Sequence, residues 1–229
     1  MSTFGSLYAE LQCELQKILQ ECARPSDAVK ILAVSKTFPA AAIQEAYDCG
    51  VRMFGENKIQ ELSEKASVLP DDIQWHFIGH LQSNKAAKAV QYASWIHSVD
   101  SLKLLHKLDR LAGEMGKKPV ILLEVNSGEE SKSGVDYEEL GVLAAAASDA
   151  ENLDWRGLMT MAPLTEDRTQ WKQAFARLRA SRDELERTLN VKLPELSMGM
   201  SGDFAEAAAE GSTIIRVGSR LFGNRDYSK

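Results

Sequence analysis

The feature that most constrains this chain is a repeated alternation of short apolar runs with amphipathic segments. Strand-like runs occur at 30–36, 51–56, 75–80, 95–100, 119–126, 155–161, 195–199 and 212–219. Several are nearly continuous in apolar residues, as strands covered on both faces are. The segments 40–48, 57–67, 82–91, 101–115, 136–149, 166–189 and 203–210 read as helices between them. In the longest, Trp171, Phe175, Leu178, Leu185 and Leu189 recur at mostly helical spacing. Such alternation predicts an α/β fold with a parallel sheet, and eight strands favour closure into a single (β/α)8 TIM-type barrel. An open doubly wound sheet is the competing architecture, but no G-x-G-x-x-G follows the first strand.

A helical stretch over 1–22 precedes the first strand, whereas only about ten residues follow the last. This extra N-terminal helix is expected to cover the bottom or the flank of the barrel. The 229 residues contain no linker and no repeat, so the chain reads as one domain, 1–229, with the barrel over 30–223.

A hydrophobic content of 44%, a charged content of 26% and a net charge of −6 with both signs interspersed describe a globular protein without a general nucleic-acid-binding face. The N-terminus lacks the basic and apolar regions of a signal peptide, and no run reaches the roughly 20 apolar residues that a membrane span requires. Cys13 and Cys22, if they share a helix, lie roughly 13 Å apart, too far for a disulfide. With Cys49 they make an odd set without a framework, which suits a reducing, cytoplasmic location.

In a parallel barrel the loops after the strands form the functional face. Those positions here carry Lys36, Glu56-Asn57, Gly79-His80, Asp100, Asn126, Thr160, Ser201 and Gly218-Ser219. Gly199, Ser201 and Gly202 precede a helix opening near Asp203, and Gly218-Ser219 end the eighth strand. Loops after strands seven and eight commonly hold a phosphate. The plain alternatives are that Ser201 caps a helix and Gly218 turns the chain; together the two loops favour phosphate binding. Arg216, two residues before Gly218, faces inward if Gly218 faces the mouth. It then needs an acceptor, for which Glu124 is a structural candidate. Lys36 ends an otherwise apolar strand. It is either a lysine reaching out to solvent or a partly desolvated amine able to attack an aldehyde. An amine on one side of the mouth and a phosphate cradle on the other suit a phosphorylated aldehyde, and pyridoxal 5′-phosphate (PLP) fits that description.

The blocks "VSKT" (34–37), "FGENKIQE" (54–61), "WHFIGHLQSNK" (75–85), "HSVD" (97–100), "EVNSGEESKSGV" (124–135), "GLMTMAP" (157–163), "LSMGMSGDF" (196–204) and "STIIRVGSRLFG" (212–223) occur in this order. With them the chain resembles the PLP homeostasis proteins, a PLP-binding barrel family similar to the N-terminal domain of alanine racemase. The resemblance runs from about residue 30 to Gly223. It implies that Lys36 is the Schiff-base lysine, that Ser201, Gly218 and Ser219 contact the phosphate, that Arg216 partners the pyridine nitrogen, and that Asn57 lines the cofactor. The family often has threonine where Ser219 stands, and the hydroxyl is retained. Asn57 also reads as a helix cap with Gln60 as its reciprocal partner.

The resemblance further implies a protein that holds PLP and buffers or delivers it, with PLP-requiring apo-enzymes as transient recipients, and with no catalytic residue or metal assigned. Nothing in the sequence suggests a large apolar interface, so a monomer is expected. The alternative is a small PLP-dependent amino-acid racemase. Racemisation normally needs a base on each face of the substrate carbon, and the two-domain racemases draw the second from a partner subunit; this chain is expected to lack the added β-domain. His80, Tyr137 and Tyr227 are the candidate substitutes, with His80 more plausibly a hydrogen-bonded structural group. A third reading is a barrel isomerase or aldolase using Lys36 on a phosphorylated sugar.

Overall fold

The computed structural model describes residues 3–128 and 133–223. Its eight strands are β1 Lys30–Val34, β2 Met53–Glu56, β3 Gln74–Phe77, β4 Trp95–Val99, β5 Val120–Glu124, β6 Asp154–Met159, β7 Glu195–Ser197 and β8 Ile214–Val217. All pair in parallel with their sequence neighbours, and β8 returns to β1 to close the barrel. The helices are α1 Thr3–Glu21, α2 Ala40–Asp48, α3 Ile59–Ala66, α4 Ala86–Tyr92 behind a 3-10 turn at Ser83–Lys85, α5 Leu102–Met115, α6 Tyr137–Ser148, α7 Arg168–Leu189, α8 Phe204–Ala209 and α9 Ser219–Phe222.

The apolar strand runs divide between two layers. Ile31 and Ala33 of β1 face outward into the large core beneath the helices, whereas Leu32 faces inward. Inside, Leu32 joins Trp95, Leu122, Met159 and Ile214 in a smaller cluster that plugs the barrel. Period-two alternation along each strand produces this split. The eighth strand ends at Val217, not Ser219: Gly218 is the N-cap of α9, a helix of four residues. Strand pairing stops there because the chain must turn across the rim.

Helix α1 takes the flank, not the bottom. Phe4 packs 5.1 Å from Phe222 of α9, which lies 5.1 Å from Phe38 in the loop after β1. At the far end of the helix, Arg24 donates to the carbonyl of Ser212 at 2.9 Å. Cys13 and Cys22 are exposed and unbridged.

Gly157 shows how tightly the sheet is drawn together. Its φ is +154° and an added Cβ would lie 1.8 Å from the carbonyl oxygen of Glu195 on β7. A Gly157→Ala substitution is therefore expected to force β6 and β7 apart and to destabilise the barrel by about 3 kcal/mol or more. Denaturant unfolding checks this, and a loss below about 0.5 kcal/mol would mean that the strand pair yields easily.

Candidate functional site

Lys36, Asn57, Ser201, Arg216, Gly218 and Ser219 all fall on four consecutive staves of the barrel, β7-β8-β1-β2. The register carries them together. Ala33 pairs with Val217 and Val34 with Gly55, so extending the strands brings Ser219 and Asn57 to either side of the Ser35-Lys36 segment. The amine and the suspected anion cradle are thus neighbours on adjoining strands, not opposites across the mouth. Lys36 itself is half-buried.

The hydroxyls of Ser219 and Ser201 meet at 3.2 Å, bringing the loops after β7 and β8 into contact. Ser201 does not cap α8; that position belongs to Asp203, whose carboxylate accepts from the backbone N–H of Met200. Gly218 has a packing reason for being glycine, since a Cβ would press on the Val34 carbonyl at 3.0 Å and on its Cβ at 3.3 Å. Its φ of −118° is ordinary. Asn57 does not cap α3 either: the cap position is Lys58, and Gln60 donates to Glu64. The Asn57 Oδ1 is buried without a hydrogen-bond partner among the described residues.

Arg216 points inward and is 5% exposed. Its Nη1 donates to the Ser197 carbonyl at 2.8 Å and to Ser197 Oγ at 2.9 Å, and its Nη2 donates to the Thr160 carbonyl at 2.9 Å. The acceptors are neutral, so the contact with Glu124 expected from the sequence is replaced by Ser197 and Thr160. Burial lowers the guanidinium to about 10 against the pull of Asp203 and Glu124, which leaves it charged at neutral pH.

A file of polar side chains runs down the barrel from this arginine. Ser197 Oγ lies 2.9 Å from His97 Nδ1, and His97 Nε2 lies 2.9 Å from His76 Nδ1. Arginine only donates, so Ser197 Oγ accepts from Arg216 and keeps both a hydrogen and a second lone pair to offer His97 Nδ1. At the lower end of the file, His76 Nε2 is buried without a hydrogen-bond partner among the described residues. Both imidazoles are fully enclosed. Burial lowers His76 to about 3 and His97 well below its usual range, so both stay neutral. The sequence reading missed this file; its signal is a polar residue at the inward-facing position of otherwise apolar strands.

At the rim, His80 Nδ1 lies 3.4 Å from an Asp100 carboxylate oxygen and is largely exposed, as befits a structural contact. Tyr137 is covered by the Arg177 guanidinium, 3.6 Å from its ring centroid. Tyr227 lies outside the described residues. The ends of β4 and β5 add buried oxygens, Ser98 Oγ and Glu124 Oε2, without a hydrogen-bond partner among the described residues. An amine, two hydroxyls, a guanidinium and orphaned acceptors at one mouth fit a polar ligand carrying an aldehyde, an anion and a ring nitrogen.

Burial, reinforced by Asp100 and opposed by Arg216, raises Glu124 from 4.5 to about 7. A raised carboxyl contributes stability that is complete below its unfolded value and is lost as pH rises through its folded value. The cofactor-free protein is therefore expected to lose roughly 3 kcal/mol from this group between about pH 4.5 and 7. Glu124→Gln should remove that part of the slope and be the more stable form at pH 8. Parallel urea titrations from pH 5 to 8 measure it, and unaltered slopes would show that Glu124 is ionised throughout.

Known proteins resemble this chain along nearly its whole length. Residues 9–226 match the family model described as alanine racemase, N-terminal domain. A relative from Pseudomonas aeruginosa named pyridoxal phosphate homeostasis protein is 44% identical over 230 residues, covering 99% of this chain and 98% of its own. The solved structure of PipY from Synechococcus elongatus PCC7942 with PLP bound is 44% identical with a TM-score of 0.82, covering 91% of this chain and 100% of that one. An alanine racemase of Clostridium difficile shares the fold alone, at 15% identity and a TM-score of 0.71 over 93% of this chain and 56% of its own. The chain belongs to the pyridoxal phosphate homeostasis protein family, built on the barrel of the alanine racemase N-terminal domain.

Proposed function

We propose that the chain holds PLP at this mouth, through Lys36, Asn57, Ser201, Arg216, Gly218 and Ser219, and acts in PLP homeostasis by keeping and releasing the cofactor. The observation that carries the reading is the meeting of Ser201 and Ser219 at 3.2 Å beside the turn that carries Lys36 just after β1. When bound, PLP supplies an aldehyde that a lysine amine captures reversibly, forming a carbon–nitrogen double bond and releasing one water. Lys36 provides the amine, and its half-buried position limits competition from solvent. The two serine hydroxyls and the adjoining backbone hold the phosphate. Asn57, with its unpartnered oxygen, lines the pocket beside the lysine.

Arg216 would face the ring nitrogen. Because an arginine does not surrender its proton, it can only donate there, and the nitrogen keeps no proton of its own. That weakens the ring as an electron sink and suits holding the cofactor over transforming a substrate. The racemase alternative has less support, because racemases share only the fold at 15% identity, whereas relatives at 38–44% identity carry the homeostasis name. Recipients of the cofactor would be PLP-requiring apo-enzymes met transiently by a monomer in the cytoplasm. No helix among the described residues is long and apolar enough to cross a membrane.

The protein incubated with PLP should show a visible absorbance band that borohydride abolishes and that Lys36→Ala lacks. Ser201→Ala combined with Ser219→Ala should raise the Kd for PLP roughly tenfold or more; unchanged affinity would remove the phosphate site from these loops. Turnover of any amino acid's stereocentre near or above about 1 s⁻¹ would defeat the carrier reading.

A further inference from the structure

The residues on either side of Lys36 are tied to one buried cluster of charge. Ser35, the last residue still paired with β2, donates its hydroxyl to Glu56 Oε1 at 2.6 Å and its N–H to the Gly55 carbonyl at 3.0 Å. Lys65, only 6% exposed on α3, donates to the Ser35 carbonyl at 3.0 Å, to Glu56 Oε1 at 2.7 Å and to Glu61 Oε1 at 2.9 Å. That uses all three hydrogens of an ammonium group. Glu61 Oε1 also accepts from the backbone N–H of Thr37 at 2.7 Å.

Thr37 is where this matters. The Phe38 N–H closes a turn onto the Ser35 carbonyl at 3.1 Å, placing Lys36 and Thr37 at its two central positions. Thr37 has a φ of +72°, which the second central position of a type II turn requires and which glycine or asparagine normally supplies. A β-branched residue there is strained and persists only when its surroundings hold it. Here the holder is Glu61, itself fixed by Lys65. Without it the Lys36–Thr37 peptide is free to turn over, and the backbone from which the amine projects changes shape.

We infer that Glu61, braced by Lys65 and Glu56, is a positioning residue for the Lys36 amine, acting by holding Thr37 in its left-handed conformation. The inference rests on the reading of Lys36 as the PLP-linking amine. The motif "FGENKIQE" thereby serves twice: Asn57 lines the pocket, while Glu56 and Glu61 set the turn opposite.

The test separates covalent capture from pocket binding. Glu61→Ala should slow appearance of the visible band with PLP roughly tenfold to a hundredfold, the scale of a small misplacement of a reacting group. Its affinity for pyridoxine 5′-phosphate, which has the phosphate and ring but no aldehyde, should stay at the parental value. Glu61→Gln keeps an oxygen that can accept from Thr37 and should recover most of the rate. Thr37→Gly in the Glu61→Ala background should also recover it, because glycine takes a positive φ without strain. The inference is overturned if Glu61→Ala captures PLP at the parental rate, or if rate and pyridoxine 5′-phosphate affinity fall together and Thr37→Gly restores neither. Retention of the band in Lys36→Ala would instead remove the underlying reading of the lysine.

Discussion

The molecule depends first on the pairing of β1 with β8. Lys30 to Ala33 lie opposite Ile214 to Val217, and that ladder joins the beginning of the barrel to its end. Everything proposed for the mouth follows from the register. A slip of one residue would turn either Leu32 or Arg216 to the helix side, and a slip of two would move the lysine along its strand by roughly 6–7 Å. Neither arrangement could keep the amine, Gly218 and the serine pair in one pocket. The need for close approach also explains Gly218, which rests against Val34 at the seam.

The second constraint is a buried cation that contacts no carboxylate among the described residues. Arg216 is satisfied by a hydroxyl and two carbonyls, with Asp203 and Glu124 acting from further away. Neutral acceptors leave the charge unspent and aim a donor-only group up towards the mouth. Below it, Ser197 links the guanidinium to the two enclosed histidines, so one polar file threads the otherwise apolar interior.

Much of the fold was legible because the strands are covered on both faces and read as near-continuous apolar runs. All eight occur where expected, shortened at their ends except that β3 and β6 open one residue earlier, and helix 40–48 has the expected bounds. The four-residue α9 was not legible, because one turn is too short to show a period. At the site, Lys36 and the paired serine loops could be found from their places after strands. The caps assigned to Asn57 and Ser201 failed because the chain travels further before each helix opens, at Ile59 and Phe204. Lys65 escaped notice for a different reason. In sequence it is one more charge on an amphipathic helix, and only three-dimensional packing shows that it is enclosed beneath Ser35.

The two apolar layers have a consequence for how such a protein can diversify. The shell between strands and helices carries most of the hydrophobic burial, whereas the plug inside is five buried side chains interrupted by imidazoles and a guanidinium. Thermodynamic robustness and ligand chemistry are consequently assigned to opposite sides of the same strands. Mutational drift in the lumen is cushioned by the outer jacket, which leaves the interior open to retuning while the scaffold stays intact.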